Sequence, residues 1–128
     1  MHAVLWLLCL LCAVTVSEAF TIAEYRTLRT MRDASTQQRL QLYVDGLGNG
    51  MLWASSAMKV QMGRSLYCPP AQMGLTAQNY MHLLQQSIGK RLETPGGRAW
   101  LEQHADEQVL GMLLLSELQE VFPCPAGR

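Results

Sequence analysis

Tyr43-Val44-Asp45-Gly46-Leu47-Gly48-Asn49-Gly50-Met51-Leu52-Trp53-Ala54 is the stretch that decides how this chain is built. Three glycines so close together ordinarily punctuate regular structure. The apolar residues around them nevertheless keep a helical beat. Leu40, Val44, Leu47, Met51, Ala54, Met58 and Met62 step by three or four, which puts them on one helix face. The pattern predicts a helix from about Thr36 to Met62, capped by Ser35 or Thr36 and ~40 Å long if unbroken. Three interior glycines cost ~3 kcal/mol relative to alanine, so something must offset them. Gly46, Gly50 and Ala54 recur every fourth residue, and a smooth stripe against which another helix packs closely is the expected compensation. A bulky residue at Gly50 should then destabilise the fold. A local kink at the glycines is the alternative. A phosphate cradle does not fit, because Met51 stands where the third glycine of G-x-G-x-x-G belongs and no strand precedes it.

Outward from this helix the pattern stays helical. Thr21 to Met31 reads as a short, mostly polar helix. A second long segment starts at Thr76 as N-cap and carries Tyr80, Leu84, Ile88 and Leu92, with Lys90 and Arg91 complementing the dipole of its last turn. A third is expected to open at Asp106, with Val109, Leu110, Leu113, Leu114, Leu118, Val121 and Phe122 as its apolar face and Pro123 as its stop. Two Gly/Pro-punctuated links, Gly63 to Leu75 and Thr94 to Gln103, join them. No segment alternates with period two. The expectation is an all-α protein: one small domain of three main helices, with short N-terminal and linker helices and one disulfide.

The first residues set the compartment. Ala3 to Val16 are almost wholly apolar, and Ser17-Glu18-Ala19 supplies small residues at the cleavage-determining positions, so residues 1–19 read as an export signal and residues 20–128 as the mature domain. The apolar run is shorter than the ~20 residues of a spanning helix, so no membrane anchor is expected after cleavage. Cys9 and Cys12 leave with the leader. Cys68 and Cys124 remain, and an exported chain with one remaining pair is expected to join it as a disulfide.

Composition narrows the function further. Ten basic and ten acidic residues give zero formal charge, which offers no general attraction to nucleic acid or anionic membrane. The signs are segregated. Arg26, Arg29, Arg32, Arg39, Lys59 and Arg64 fall in the first half; Glu93, Glu102, Asp106, Glu107, Glu117 and Glu120 fall in the second, where they read as solvated helix faces. Met51, Met58 and Met62 share the core face, and His82 and His104 lack neighbours at metal-ligand spacing, so no metal or other cofactor is expected. Cys68 has an oxidised fate in Cys124 and is not part of a C-x-x-C. Ser87 and Ser116 lie within helices rather than at a nucleophile elbow. The chain reads as a binding protein, not an enzyme.

Taken in order, Tyr43-x-x-Gly46-x-x-x-Gly50 with Trp53-Ala54, then Cys68-Pro69-Pro70, then Phe122-Pro123-Cys124, resembles the Rap/Tai family of periplasmic immunity proteins. These neutralise peptidoglycan amidase effectors of type VI secretion. The resemblance spans about Ser35 to Cys124 and implies a small helical domain, often a homodimer, with the matched cysteines bonded. It implies a cognate amidase effector as partner and inhibition by steric blocking. Many members carry a further cysteine pair where this chain has Met31 and Leu40. No contact residue transfers by motif. Geometry instead nominates Gly96, Gly97 and Arg98, in the link between two helices, as the partner-binding element. The alternative is a periplasmic helical protein outside immunity, a structural or chaperone-like module.

Overall fold

The computed structural model describes residues 19–126, so the expected leader, with Cys9 and Cys12, lies outside the described residues up to residue 18. Among the described residues there are five helices and no strand: α1 (Ile22–Thr30), α2 (Ala34–Met62), α3 (Ala77–Leu92), α4 (Pro95–Gln103) and α5 (Leu110–Val121). The all-α expectation holds.

Helix starts follow from caps. Thr21 and Glu24 form a reciprocal capping box at α1, with Thr21 N–H donating to Glu24 Oε2 at 2.8 Å and Glu24 N–H to Thr21 Oγ1 at 3.1 Å. α2 begins two residues earlier than the sequence suggested, because Asp33 rather than Ser35 or Thr36 is its cap. The Asp33 carboxylate accepts from Thr36 N–H at 2.8 Å and from Ser35 Oγ at 2.7 Å. These bonds hold its pKa down to about 2. Gly63 closes α2 in the left-handed region, φ 72°, where other residues are strained. α3 starts at Thr76 as expected, in a capping box with Asn79.

α3 is the hub, packing against α2, α4 and α5, while α1 lies on α2. Tyr80, Leu83, Leu84 and Ile88 of α3 meet Leu40 and Val44 of α2, Leu101 of α4, and Leu110, Leu113, Leu114 and Leu118 of α5 in one buried cluster. Each such side chain contributes about 1.5–3 kcal/mol relative to exposure. Ile22 and Tyr25 of the mostly polar α1 complete it. Polar bonds fix the α3–α5 seam. Buried Ser87 donates from Oγ to Leu113 O at 3.1 Å. Glu117 is also buried, not solvated as its sequence context suggested, and meets Lys90 Nζ at 2.8 Å; the exposed Glu120 shares the same ammonium at 2.8 Å. Both carboxylates raise the Lys90 pKa.

Two boundaries depart from expectation. The Thr94 to Gln103 link is largely helix α4: Thr94 Oγ1 accepts from Gly97 N–H and Pro95 occupies the first turn, where a missing N–H does no harm. The last helix does not open at Asp106. Glu107 N–H bonds back to His104 O, and Ala105 O accepts from Ala23 N–H of α1 at 2.9 Å, so that stretch makes a turn that anchors α1. α5 begins four residues later, at Leu110, with no side-chain cap.

Candidate interaction surfaces

Cys68 and Cys124 are bonded, their Cα atoms 4.8 Å apart. The cystine is one of several ties holding the link between α2 and α3. Cys68 N–H donates to Phe122 O at 2.8 Å, Gln119 Nε2 to Leu66 O at 3.2 Å, and Leu66 N–H to Ser55 Oγ of α2 at 3.0 Å. Tyr67 is buried between them, and burial, with Tyr80 beside it, pushes its phenol up to about 12. Beyond Pro69 the chain turns outward. Pro70, Ala71, Gln72, Met73 and Gly74 are all exposed, and Met73 N–H closes a turn on Pro70 O at 2.9 Å. The result is an exposed turn leading from a base held by the cystine and these hydrogen bonds.

Gly96, Gly97 and Arg98 do not form such a segment. They make the first turn of α4 against the end of α3. Arg98 Nη2 donates to Leu92 O at 3.0 Å, and a side chain at Gly97 would run into the Arg91 carbonyl. This corner is structural, so substituting Gly97 disturbs the fold as well as any surface. Leu101 is buried, and Trp100 lies under the Arg91 guanidinium at 4.6 Å and beside the His104 ring at 4.4 Å. His104 Nδ1 in turn lies 2.9 Å from Glu107 Oε1.

The glycine stripe also faces differently. Gly46, Gly50 and Ala54 are exposed, and among the described residues nothing lies within 4 Å of where a Cβ would stand at either glycine. No other helix among the described residues packs there. Gly48 does the packing: it is buried, and the Tyr80 ring occupies the space a side chain would need. The inward face continues the step of Leu40 and Val44 to Gly48 and Ser55. That four-residue step was the signal that could have singled out Gly48. The opposite face of α2 carries Leu42, Trp53 and Val60, exposed by 64%, 76% and 86%, with Gly46, Gly50 and Ala57 between them. Two apolar stripes on one helix make the periodicity ambiguous from sequence.

Two shallow grooves, one polar and one largely apolar, flank α1. One, of about 300 Å³, is lined by Arg29, Gln37, Gln41, Gln78, His82 and Gln85. The next, of about 260 Å³, adds Tyr25 and Arg26 over an apolar floor of Ile88 and Leu92. Tyr25 is buried, its hydroxyl has no partner among the described residues, and burial pushes its pKa up to about 12 despite nearby Arg29. No cluster of three or more His, Cys, Asp or Glu residues suited to a metal occurs among the described residues. No helix there is long and apolar enough to cross a membrane. Comparison with family models, with curated proteins and with solved structures finds no match.

Proposed function

We propose that this protein is an exported immunity protein that binds and blocks a peptidoglycan amidase effector of type VI secretion in the periplasm, without catalysing a reaction itself. The observation that carries this reading is the exposed segment at residues 70–74, which follows a base pinned by the Cys68–Cys124 bond and by hydrogen bonds to α2 and α5. A loop with a tethered base and a closed turn loses less conformational entropy on entering a cleft than a free one, so more of its contact energy translates into affinity. Pro69 and Pro70 stiffen its stem, while Gln72 and the half-exposed Met73 offer a polar and an apolar contact at its tip. The ordered cysteine-proline and glycine motifs that resemble Rap/Tai members sit on the same frame.

The test is co-expression with the product of the adjacent reading frame, followed by co-purification and a peptidoglycan-cleavage assay. A stable complex that suppresses cleavage is expected, with Met73→Asp weakening suppression while the melting temperature stays put. An adjacent product that neither binds nor cleaves peptidoglycan overturns the reading.

A further inference from the structure

α1 lies on α2 rather than on α3, and the two grooves beside it share Arg29 and Gln85. Among the described residues they therefore form one trough between α1 and α3. The α3 wall is a single helix face: Gln78, His82, Gln85, Gly89 and Leu92 step by three or four and span ~21 Å. An extended chain covers that length in about six residues. The opposite wall is fixed in place. Ala23 N–H of α1 donates to Ala105 O, and Gln37 Nε2 of α2 donates to Leu28 O at 3.1 Å.

Polarity changes along the trough. One end carries Gln37, Gln41 and Gln78, whose carboxamides offer both donors and acceptors, as an extended backbone does. Ile88 and Leu92 line the other end, with Gly89 between them, and among the described residues nothing lies within 4 Å of a Cβ position there. Arg29 stands where the two ends meet, with Arg26 three residues before it on the same side of α1. No Asp or Glu lines either groove. The ion pairs among the described residues use Lys90 and His104, so neither arginine has a carboxylate partner there. Tyr25 lies beside them, buried, its hydroxyl unpartnered among the described residues, and Arg29 is near enough to pull its pKa down against burial.

We propose that this trough binds an extended peptide segment of about six residues, placing a carboxylate at Arg26 and Arg29 and an apolar side chain over Ile88, Gly89 and Leu92. The glutamines at the other end pair with the peptide backbone, whatever its sequence. A small anion would not use the apolar floor, and a purely apolar ligand would not answer the arginines. On an extended chain, side chains two positions apart share a face, which fixes the spacing of acid and apolar residue. This binding does not depend on the amidase reading or on residues 69–74.

The probes are end-blocked, fluorescein-labelled hexapeptides with glutamate and leucine two positions apart, in both orders, titrated with the exported, oxidised protein and followed by anisotropy. At least one order should bind saturably, and exchanging its glutamate for glutamine should raise Kd by about tenfold or more. Arg29→Gln should cost the glutamate peptide the same factor and leave the glutamine peptide unchanged, the signature of a direct pairing. Gly89→Leu fills the floor and keeps both arginines. It should weaken both peptides without lowering the melting temperature, since leucine is the better helix former. No saturable binding in either order overturns the proposal, as would follow if the chain's own first residues fill the trough. So does binding indifferent to both substitutions, or displacement of the peptide by equimolar acetate or by phosphatidylglycerol vesicles.

Discussion

The ring of Tyr80 lies across Gly48, filling the volume that any side chain at that position would need. α3 can therefore sit close against α2 at this one point, and the two helices are locked in register by a residue that has no side chain at all.

Gly48→Ala should lower stability by about 1–3 kcal/mol, because the tyrosine ring or the helix axis must shift to admit a methyl group. Gly50→Ala should do the reverse and add about 0.5–1 kcal/mol, since its site is open and alanine is the better helix former. Urea denaturation of dilute protein separates the two. Equal effects would mean that both glycines face the same environment.

Lys90→Met should destabilise the protein by leaving the buried Glu117 carboxylate without its partner. Adding Glu117→Leu should restore much of the loss, since the pair is then replaced by apolar packing. Melting of the single and double variants decides this. A double variant no better than the single one would mean that the carboxylate is satisfied by something other than Lys90.

Asp33 gives a pH signature. Its folded pKa of about 2 lies below the ordinary 3.8, so its contribution is complete above about pH 4 and fades as pH falls from there through 2. Asp33→Ala should lower the melting temperature at neutral pH, and its difference from the parent should shrink over that acid window alone. A difference independent of pH would rule out the carboxylate as the active cap.

At the alkaline end the sign reverses. Tyr25 and Tyr67 hold their protons to about 12, above the ordinary 10, so stability is intact below pH 10 and falls as pH rises toward 12. Tyr25→Phe should reduce that fall. At neutral pH it should be neutral or stabilising by on the order of 1 kcal/mol, because the hydroxyl it removes is buried without a partner. A large loss of stability at neutral pH would reveal a bond to that hydroxyl.

How much of this was legible beforehand depended on whether the deciding contact was local. Thr76 could be named as a cap from its neighbours alone, because a capping box involves residues three apart. The cystine needed only a count of surviving thiols. Asp106 looked like an equally good cap, but the backbone at Ala105 is committed to Ala23, far away in sequence, and the helix waits until Leu110. Thr94-Pro95 did carry a helix-start signal, masked by the two glycines that follow. The glycines of α2 were misassigned for a different reason. Gly46 and Gly50 flank Gly48 in sequence but lie on the other side of the helix, and only Tyr80 tells them apart. The tethered base before residues 69–74 was invisible because Leu66 and Cys68 are held by Ser55, Gln119 and Phe122, none of them adjacent in sequence.

The cystine also encloses a long stretch of chain. Its halves are 56 residues apart, with α3, α4 and α5 all lying between them. Closing it draws α3, α4 and α5 into one covalent loop, so the end of α5 and the link after α2 stay joined even where the helices between them open.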